Sequence, residues 1–427
     1  MVIAFMIAHY WHIERMLPVF SWGMIVVLFL TFLFLYISNA YTPDYTNKGA
    51  RIIVRTLFGV VGAAVAVLVY SYITRTTETD PIYWRGTFLV GYALFLPYAC
   101  ISRVLISKAA FELHESRKWI VIGDAEHITK FASTYNSAGL GGKLVAIELN
   151  TTSNNSENVE RALALTDLEG IVIATSKNRM SENIEKALMK KRLSGVRVYA
   201  VIDFCEHYLW KIPIDFLEES WIVLSQGFDL VHHKVQLNIK RFLDFVFSLC
   251  GLIAFSPVLI AVTVLVRLNS KGPAIFRQIR TGKDGTTFTL YKFRTMQQGA
   301  DSSGPQWAQE RDPRVTSIGK ILRKFRIDEL PQLWNVLKGE MSFIGPRPEV
   351  PDFVAKLHGE LPYYDLRLLV APGITGWAQV MYPYGASVED AKEKLQYDLY
   401  YIKNYSIALD VLIALKTLRV VFYAAGR

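Results

Sequence analysis

Apolar residues fill three long runs near the start of the chain, 17–36, 56–74 and 86–102, and none of them contains a charged residue. Each is close to the roughly 20 residues that an α-helix needs to cross a bilayer. The runs repeat, and no small-residue cleavage site follows a basic start, so they read as membrane spans rather than a leader. Residues 2–11 are also apolar but too few to cross alone; they read as part of a fourth span or the remnant of one. Lysine and arginine placement gives the orientation. Lys48, Arg51 and Arg55 follow the first run, and Arg103, Lys108, Arg117 and Lys118 follow the third. The short loop between the second and third runs offsets Arg75 and Arg85 with Glu78 and Asp80. The first and third loops, and everything after Lys108, are therefore expected on the cytoplasmic side.

From residue 119 the pattern changes to short β-branched runs alternating with amphipathic stretches. Segments 119–124, 144–149, 170–174 and 196–202 read as buried strands, and 181–193 has helical spacing. This is the pattern of a small doubly wound α/β domain with a parallel sheet, with 150–158 as a polar loop inside it. Gly123-Asp124-Ala125 stands where a dinucleotide-binding turn would place its glycines, but the glycine-rich fingerprint is absent. A degenerate, regulatory or oligomerising domain is the stronger reading and a working nucleotide site the weaker one.

A further apolar stretch begins after Lys240-Arg241 and ends at Arg267, interrupted by Ser256-Pro257. Proline removes a backbone donor and clashes with the preceding turn, so a helix breaks or kinks there. Cations flank both ends, with Lys240 and Arg241 before and Arg267 and Lys271 after, and both flanks favour the same side of the membrane. A helix over 241–267 that enters one leaflet, breaks at Ser256-Pro257 and returns satisfies that constraint better than one more kinked span, with Ser256 helping to satisfy the broken backbone. The expected fold is a membrane α/β protein. It has a transmembrane helical domain over 1–108, a Rossmann-like parallel-sheet domain over 117–230, and an α-rich catalytic domain with the re-entrant helix over 238–427.

Asp328-Glu329 carries the strongest chemical signal. Leu330, Leu333, Trp334 and Leu337 follow at i, i+3, i+4 and i+7, so a short helix with one apolar face is expected to start at the acids, with Pro331 in its first turn. A lone acidic pair is ordinarily just a helix cap. Here it sits among arginines and glycine- or proline-fixed loops: Arg277, Arg280, Lys292, Arg294, Arg314, Arg323 and the run Gly345-Pro346-Arg347-Pro348-Glu349. Guanidinium forks suit phosphate oxygens, and together these residues describe a pyrophosphate site. Two acids next to a polyanion repel it unless a divalent cation bridges them, and oxygen-only ligands with phosphate favour Mg²⁺.

A net charge of +9 suits anionic headgroups and a phosphate-bearing substrate. No zinc-finger spacing or RNA-binding aromatic motif is present, which argues against nucleic acid. The three cysteines form no CxxC or Cys/His cluster, so neither disulfides nor zinc are indicated. His232-His233 reads as structural.

The chain from Lys240 onward resembles the bacterial sugar transferase family, the polyprenyl-phosphate glycosyl-1-phosphate transferases. Carrying the resemblance are Lys240-Arg241-x-x-Asp244, Ser256-Pro257, Lys292-Phe293-Arg294, Asp312-Pro313-Arg314-Val315-Thr316, Asp328-Glu329-Leu330-Pro331-Gln332-Leu333, Pro346-Arg347-Pro348 and Pro372-Gly373-Ile374-Thr375-Gly376-Trp377-Ala378-Gln379. The membrane runs and α/β domain ahead of it are similar to the large exopolysaccharide-initiating form. The tail from Gly385 to Lys403 resembles an exosortase-associated subgroup.

The resemblance implies transfer of a sugar 1-phosphate from a nucleotide sugar to polyprenyl phosphate at the cytoplasmic face of the bacterial inner membrane. It implies Asp328 as nucleophile, Glu329 with Asp328 as the Mg²⁺ site, and Arg323 and Arg347 on phosphate oxygens. Pro346, Pro348, Lys292, Arg294, Arg314 and Arg280 complete the substrate-binding set. Lys240 and Arg241, with the Ser256-Pro257 break setting the depth, would hold the lipid headgroup at the bilayer. A direct one-step transfer with Asp328 only binding metal, and a catalytically silent scaffold or nucleotide sensor, are the alternatives. The middle domain is a candidate homodimer contact. Two departures from the family pattern stand out: Arg326-Ile327 before the acidic pair, and Ala371 before Pro372.

Overall fold

A computed structural model of the chain describes all residues except 14–21, 42–48, 75–84, 116–117, 150–158, 160, 164–167, 176–179, 229–233, 298, 300–311, 383–384, 386 and 423–427. Lys48, Arg75, Arg117, Glu78, Asp80, the histidine pair and the polar 150–158 loop therefore lie outside the described residues. The chain divides into two compact units, Met1–Ala200 and Val201–Arg427.

The first unit opens with helices α1 (Val2–Ile13), α2 (Trp22–Ile37), α3 (Gly49–Thr74) and α4 (Arg85–Glu115). Residues 50–74 and 86–112 are long and apolar enough to cross a membrane, whereas α2 is a shorter apolar helix. The first expected span is thus represented by α2, because its opening residues lie outside the described set. Phe5, Met24, Leu35, Val60, Val67, Phe88 and Phe95 share one buried cluster, so α1 belongs to the bundle. Gly59 and Gly62 permit close approach of α3 to α2: a Cβ at Gly62 would lie 2.6 Å from the Phe34 ring. Small residues at such crossings are how membrane helices pack when no hydrophobic effect separates them from lipid. Phe29, Phe58, Leu68, Leu89 and Leu105 point away from the bundle and are exposed.

The same unit contains strands β1 (Lys118–Gly123), β2 (Lys143–Glu148), β3 (Leu168–Ala174) and β4 (Arg197–Ala200), with helices α5 (Ala125–Ser137) and α6 (Glu182–Leu193). All pairings are parallel, in the order β2-β1-β3-β4. The order reverses between β1 and β3, the place where open α/β sheets form a crevice. Gly123 is dictated by packing, since a Cβ there would lie 2.1 Å from the Ala174 carbonyl oxygen. Asp124 accepts a hydrogen bond from Thr175 Oγ1 at 3.1 Å, which puts a carboxylate where a pyrophosphate would need donors.

The second unit begins earlier than the sequence pattern suggests. Residues 201–228, assigned above to the α/β domain, pack with the C-terminal unit: Ile202, Ile212 and Ile214 share a core with Leu357, Leu361, Tyr364, Leu395 and Leu399. Lys211 pairs with Glu393, Lys403 with Glu206, and Ile212 N–H donates to Gln396 O at 3.0 Å. Replacing the fully buried Ile212 by alanine should therefore destabilise this unit by about 2–4 kcal/mol. Thermal unfolding of the detergent-solubilised chain checks this; an unchanged melting temperature would detach the segment from that core.

Next come α7 (Lys234–Ala254) and α8 (Ser256–Asn269), whose axes bend by 61° at Phe255. Ser256 Oγ donates to the Ile253 carbonyl at 2.7 Å, so the serine satisfies a backbone group that the break frees, as the Ser256-Pro257 signal implied. Phe242, Phe247, Ile253, Phe255, Ile260 and Leu268 are exposed along the pair, while Asp244, Ser248, Val262 and Val266 face protein.

A hairpin, β5 (Ile275–Thr281) and β6 (Thr287–Phe293), is followed by α9 (Ser317–Lys324), a tight 3₁₀ segment Ile327–Gln332, and α10 (Leu333–Lys338). Then come β7 (Ser342–Ile344), α11 (Pro351–Glu360), β8 (Gly373–Thr375), α12 (Trp377–Met381), α13 (Val388–Lys403) and α14 (Ile407–Phe422), with β7 and β8 parallel.

Candidate active site

Asp328 and Glu329 lie in the 3₁₀ segment between α9 and α10, both largely buried. The single apolar helical face expected from Leu330, Leu333, Trp334 and Leu337 is not what forms. Three residues per turn through Pro331 shift the phase, so Leu333, Asn335 and Val336 turn inward and Trp334 stays 48% exposed. Asn335 locks this turn to the hairpin: its Nδ2 donates to Thr289 O at 2.7 Å, and its Oδ1 accepts from Tyr291 N–H at 3.2 Å.

Arginines orient Glu329. Arg347 Nη2 donates to Oε1 at 3.0 Å, and Arg326 Nη1 donates to Oε2 at 3.3 Å. Arg326 reaches it from a left-handed backbone conformation (φ 56°, ψ 21°), unusual for a non-glycine residue. The departure noted at Arg326 therefore places a second cation on the dyad. Among the described residues no side chain donates a hydrogen bond to Asp328, which leaves its oxygens available.

Charge separates the two acids. Burial pushes Glu329 up, but Arg347 and Arg326 more than compensate and hold it at about 2. Burial and then the Glu329 charge raise Asp328, against the pull of Lys292, Arg323 and Arg347. Burial lowers Lys292 to about 8, with Arg347 adding to the effect and Glu329 opposing it. Turnover should accordingly fall as pH rises through about 8, because the site loses a cation. Stability should move the other way. The unfolded lysine keeps its proton to about 10.5, so between the two values the unfolded chain binds more protons and rising pH favours the fold. Rate and melting temperature measured from about pH 7 to 10, beside Lys292→Met, check both signs; both trends should flatten in the variant.

Arg347 sits in the Gly345–Glu349 loop, clamped from several directions. Gly345 N–H donates to Thr375 O, and Gly373 N–H donates to Pro346 O, both at 2.9 Å. A Cβ on Gly373 would lie 2.1 Å from Gly345 N, so the backbones touch. Arg280 Nη1 donates to Pro348 O at 3.0 Å and lies 3.6 Å from Glu349. Arg323 Nε donates to Thr295 Oγ1 at 2.9 Å, and its charge bears on Asp328. Arg314 holds Asp312 through its guanidinium, Nε to Oδ1 at 2.9 Å and Nη2 to Oδ2 at 2.7 Å, and through its backbone N–H, which donates to Oδ1 at 2.9 Å. That grip keeps Asp312 at about 2.

The remaining sequence-derived residues are used differently. Arg294 Nη2 donates to Ser270 O and Oγ at the end of α8, so it ties the helix pair to the hairpin. Lys240 Nζ donates to Asp410 Oδ2 at 2.7 Å, and Asp410 Oδ1 accepts from Tyr401. Arg241 donates to Val336 O and Leu337 O, neutralising the C-terminal end of α10. The two cations expected at the lipid headgroup both make contacts within the protein that anchor α7. Their partners lie 170 and about 95 residues away, so no local pattern announces them.

Among the described residues no group of three or more His, Cys, Asp or Glu could hold a metal by itself. Asp328, with free oxygens, and its neighbour Glu329 nevertheless fit Mg²⁺, which commonly takes one or two carboxylates and completes its shell from substrate phosphate and water.

The bacterial sugar transferase family model matches residues 235–424. The chain is similar to the UDP-N-acetylgalactosamine-undecaprenyl-phosphate N-acetylgalactosaminephosphotransferase of Aeromonas hydrophila, 44% identical over 234 residues, or 55% of this chain and 54% of the relative. It is similar to the UDP-glucose:undecaprenyl-phosphate glucose-1-phosphate transferase of Caulobacter vibrioides, 40% identical over 208 residues, 48% of this chain and 78% of the relative. The exopolysaccharide production protein PSS of Rhizobium leguminosarum bv. phaseoli is 41% identical over 189 residues, 44% of this chain and 94% of the relative. The chain thus spans about half the length of the Aeromonas relative and nearly all of the Rhizobium one.

Proposed function

Since the chain belongs to the bacterial sugar transferase family, we propose that it transfers a sugar 1-phosphate from a UDP-sugar to polyprenyl phosphate, releasing UMP. The observation that carries this reading is a buried acidic pair in which Glu329 is held by Arg347 and Arg326 while Asp328 accepts no side-chain hydrogen bond among the described residues. A free Asp328 oxygen attacks the β-phosphorus of the donor, the bond from that phosphorus to the oxygen bridging to UMP breaks, and UMP leaves with the electron pair. An oxygen of the polyprenyl phosphate then attacks the aspartyl phosphosugar, and the Asp328 carboxylate is released. A covalent route lets two anionic substrates use one site in turn.

Phosphoryl transfer depends mainly on positioning and charge neutralisation. Arg347, Arg323 and Lys292 supply fixed positive charge around the acids. Mg²⁺ held by Asp328 and Glu329 would supply the neutralisation that lets a diphosphate approach two carboxylates.

The exposed apolar faces of α7 and α8 and the break between them support a re-entrant helix pair in one leaflet of the inner membrane, with the acids on the cytoplasmic side. The Aeromonas relative's name specifies N-acetylgalactosamine and the Caulobacter relative's glucose. The donor is therefore proposed only as a UDP-hexose or UDP-N-acetylhexosamine, and the role as the first membrane step of exopolysaccharide synthesis.

UMP release by purified protein with Mg²⁺, undecaprenyl phosphate and a panel of UDP-sugars tests the proposal. Lipid-dependent UMP with at least one donor supports it, and folded protein that releases none with any donor overturns it.

A further inference from the structure

One buried ion pair of the second unit takes no part in the chemistry above. Arg367 lies in the segment Tyr364–Leu369, and Asp398 on α13; their side chains are only 8% and 2% exposed. Arg367 Nη2 donates to Asp398 Oδ2 at 3.1 Å, and Nη1 donates to Tyr364 Oη at 2.6 Å. The same Nη2 also donates to the backbone carbonyl of Arg347 at 2.9 Å. The next carbonyl along, that of Pro348, accepts from Arg280. Two guanidinium groups thus grip consecutive carbonyls of a loop whose residues 346 and 348 are prolines with restricted φ.

A buried charge pair rarely adds net stability compared with an apolar pair of similar size. Its presence here is better explained by what it holds. We propose that Arg367 and Asp398 are a positioning pair: by fixing the Arg347 carbonyl they aim the Arg347 guanidinium at Glu329 and keep it there through the transfer. Neither residue touches the acids. Asp398 holds Arg367, Tyr364 sets the rotation of its fork, and the third acceptor is the loop itself. A lysine could satisfy Asp398 but could not bridge all three acceptors. The catalytic consequence rests on the function proposed above; the structural one does not.

The test uses the full chain in detergent with Arg367→Lys, and with Arg367→Met/Asp398→Leu as a second variant that leaves no unpaired buried charge. The first readout is hydrogen exchange of the peptide covering residues 344–349, which is independent of turnover. Exchange there should rise about tenfold in both variants, with the global melting temperature little changed. The second readout is steady-state UMP release. kcat should fall by about 10- to 100-fold with KM for the UDP-sugar within about threefold, as expected for a misplaced group rather than a lost binding contact. In an Arg347→Gln background, Arg367→Lys should cost less than about threefold, because the group it positions is gone. Unchanged exchange in both variants, or an equal loss of kcat with and without Arg347, overturns the proposal. Wild-type protein that releases no UMP refutes the proposed function, and the exchange readout then still decides whether the pair holds the loop.

Discussion

Asp328→Asn should lose UMP release by about 10⁴-fold or more, as removal of a covalent nucleophile does. The amide has nearly the shape of the carboxylate but cannot form the acyl phosphate. The same change should leave the protein as stable as wild type or more so. Burial and the adjacent Glu329 charge raise Asp328 above its ordinary range, so the ionised carboxylate is disfavoured in the fold and a neutral side chain relieves that cost. Inactivity together with an unchanged or raised melting temperature separates loss of chemistry from loss of structure. A melting temperature well below wild type would mean that Asp328 is needed for the fold.

Arg347→Gln should lower kcat/KM by about 10²–10³-fold, the range seen when a preorganised charge-stabilising donor is removed. It should also change the pH profile in a defined direction. Glu329 stays low because Arg347, then Arg326, outweigh burial. With Arg347 gone, burial gains ground and the Glu329 pKa rises. Its ionised form is then lost at a higher pH as the solution is acidified, so the acid limb of the residual activity should move upward. Stability should follow the same sign. The depressed carboxylate contributes stability above its unfolded pKa, and that contribution shrinks as the depression does. A uniform loss of rate with no movement of the acid limb would show that Arg347 acts on the substrate and not on Glu329.

Much of the site was legible in the sequence because its signals are local. Ser256-Pro257 marks a break that the backbone makes, whereas the acids followed by Pro331 read as the start of an amphipathic helix and form a tight 3₁₀ segment instead. The residues that hold the site together were not legible, since each depends on a partner far along the chain. Arg367 reads as one arginine among many until Asp398 appears behind it on α13. Asn335 reads as a polar residue on a short helix until the hairpin backbone closes on both its amide atoms. Lys240 and Arg241 read as cations beside an apolar run, and their contacts with Asp410 and the end of α10 appear only in the fold. The late boundary placed at 230 failed for a similar reason. Ile212 and Ile214 lie far along the chain from Leu395 and Leu399 of α13, with which they share a core.

The most direct test of the central claim is isotope exchange without the lipid acceptor. Purified protein, UDP-sugar, Mg²⁺ and radiolabelled UMP are incubated with no polyprenyl phosphate, and label is followed into the UDP-sugar. A covalent Asp328 phosphosugar predicts that label enters the donor pool with wild-type protein and not with Asp328→Asn, because UMP can attack the intermediate and regenerate the donor. No exchange by a preparation that turns over fully once lipid is added would contradict the account and require direct transfer between the two substrates.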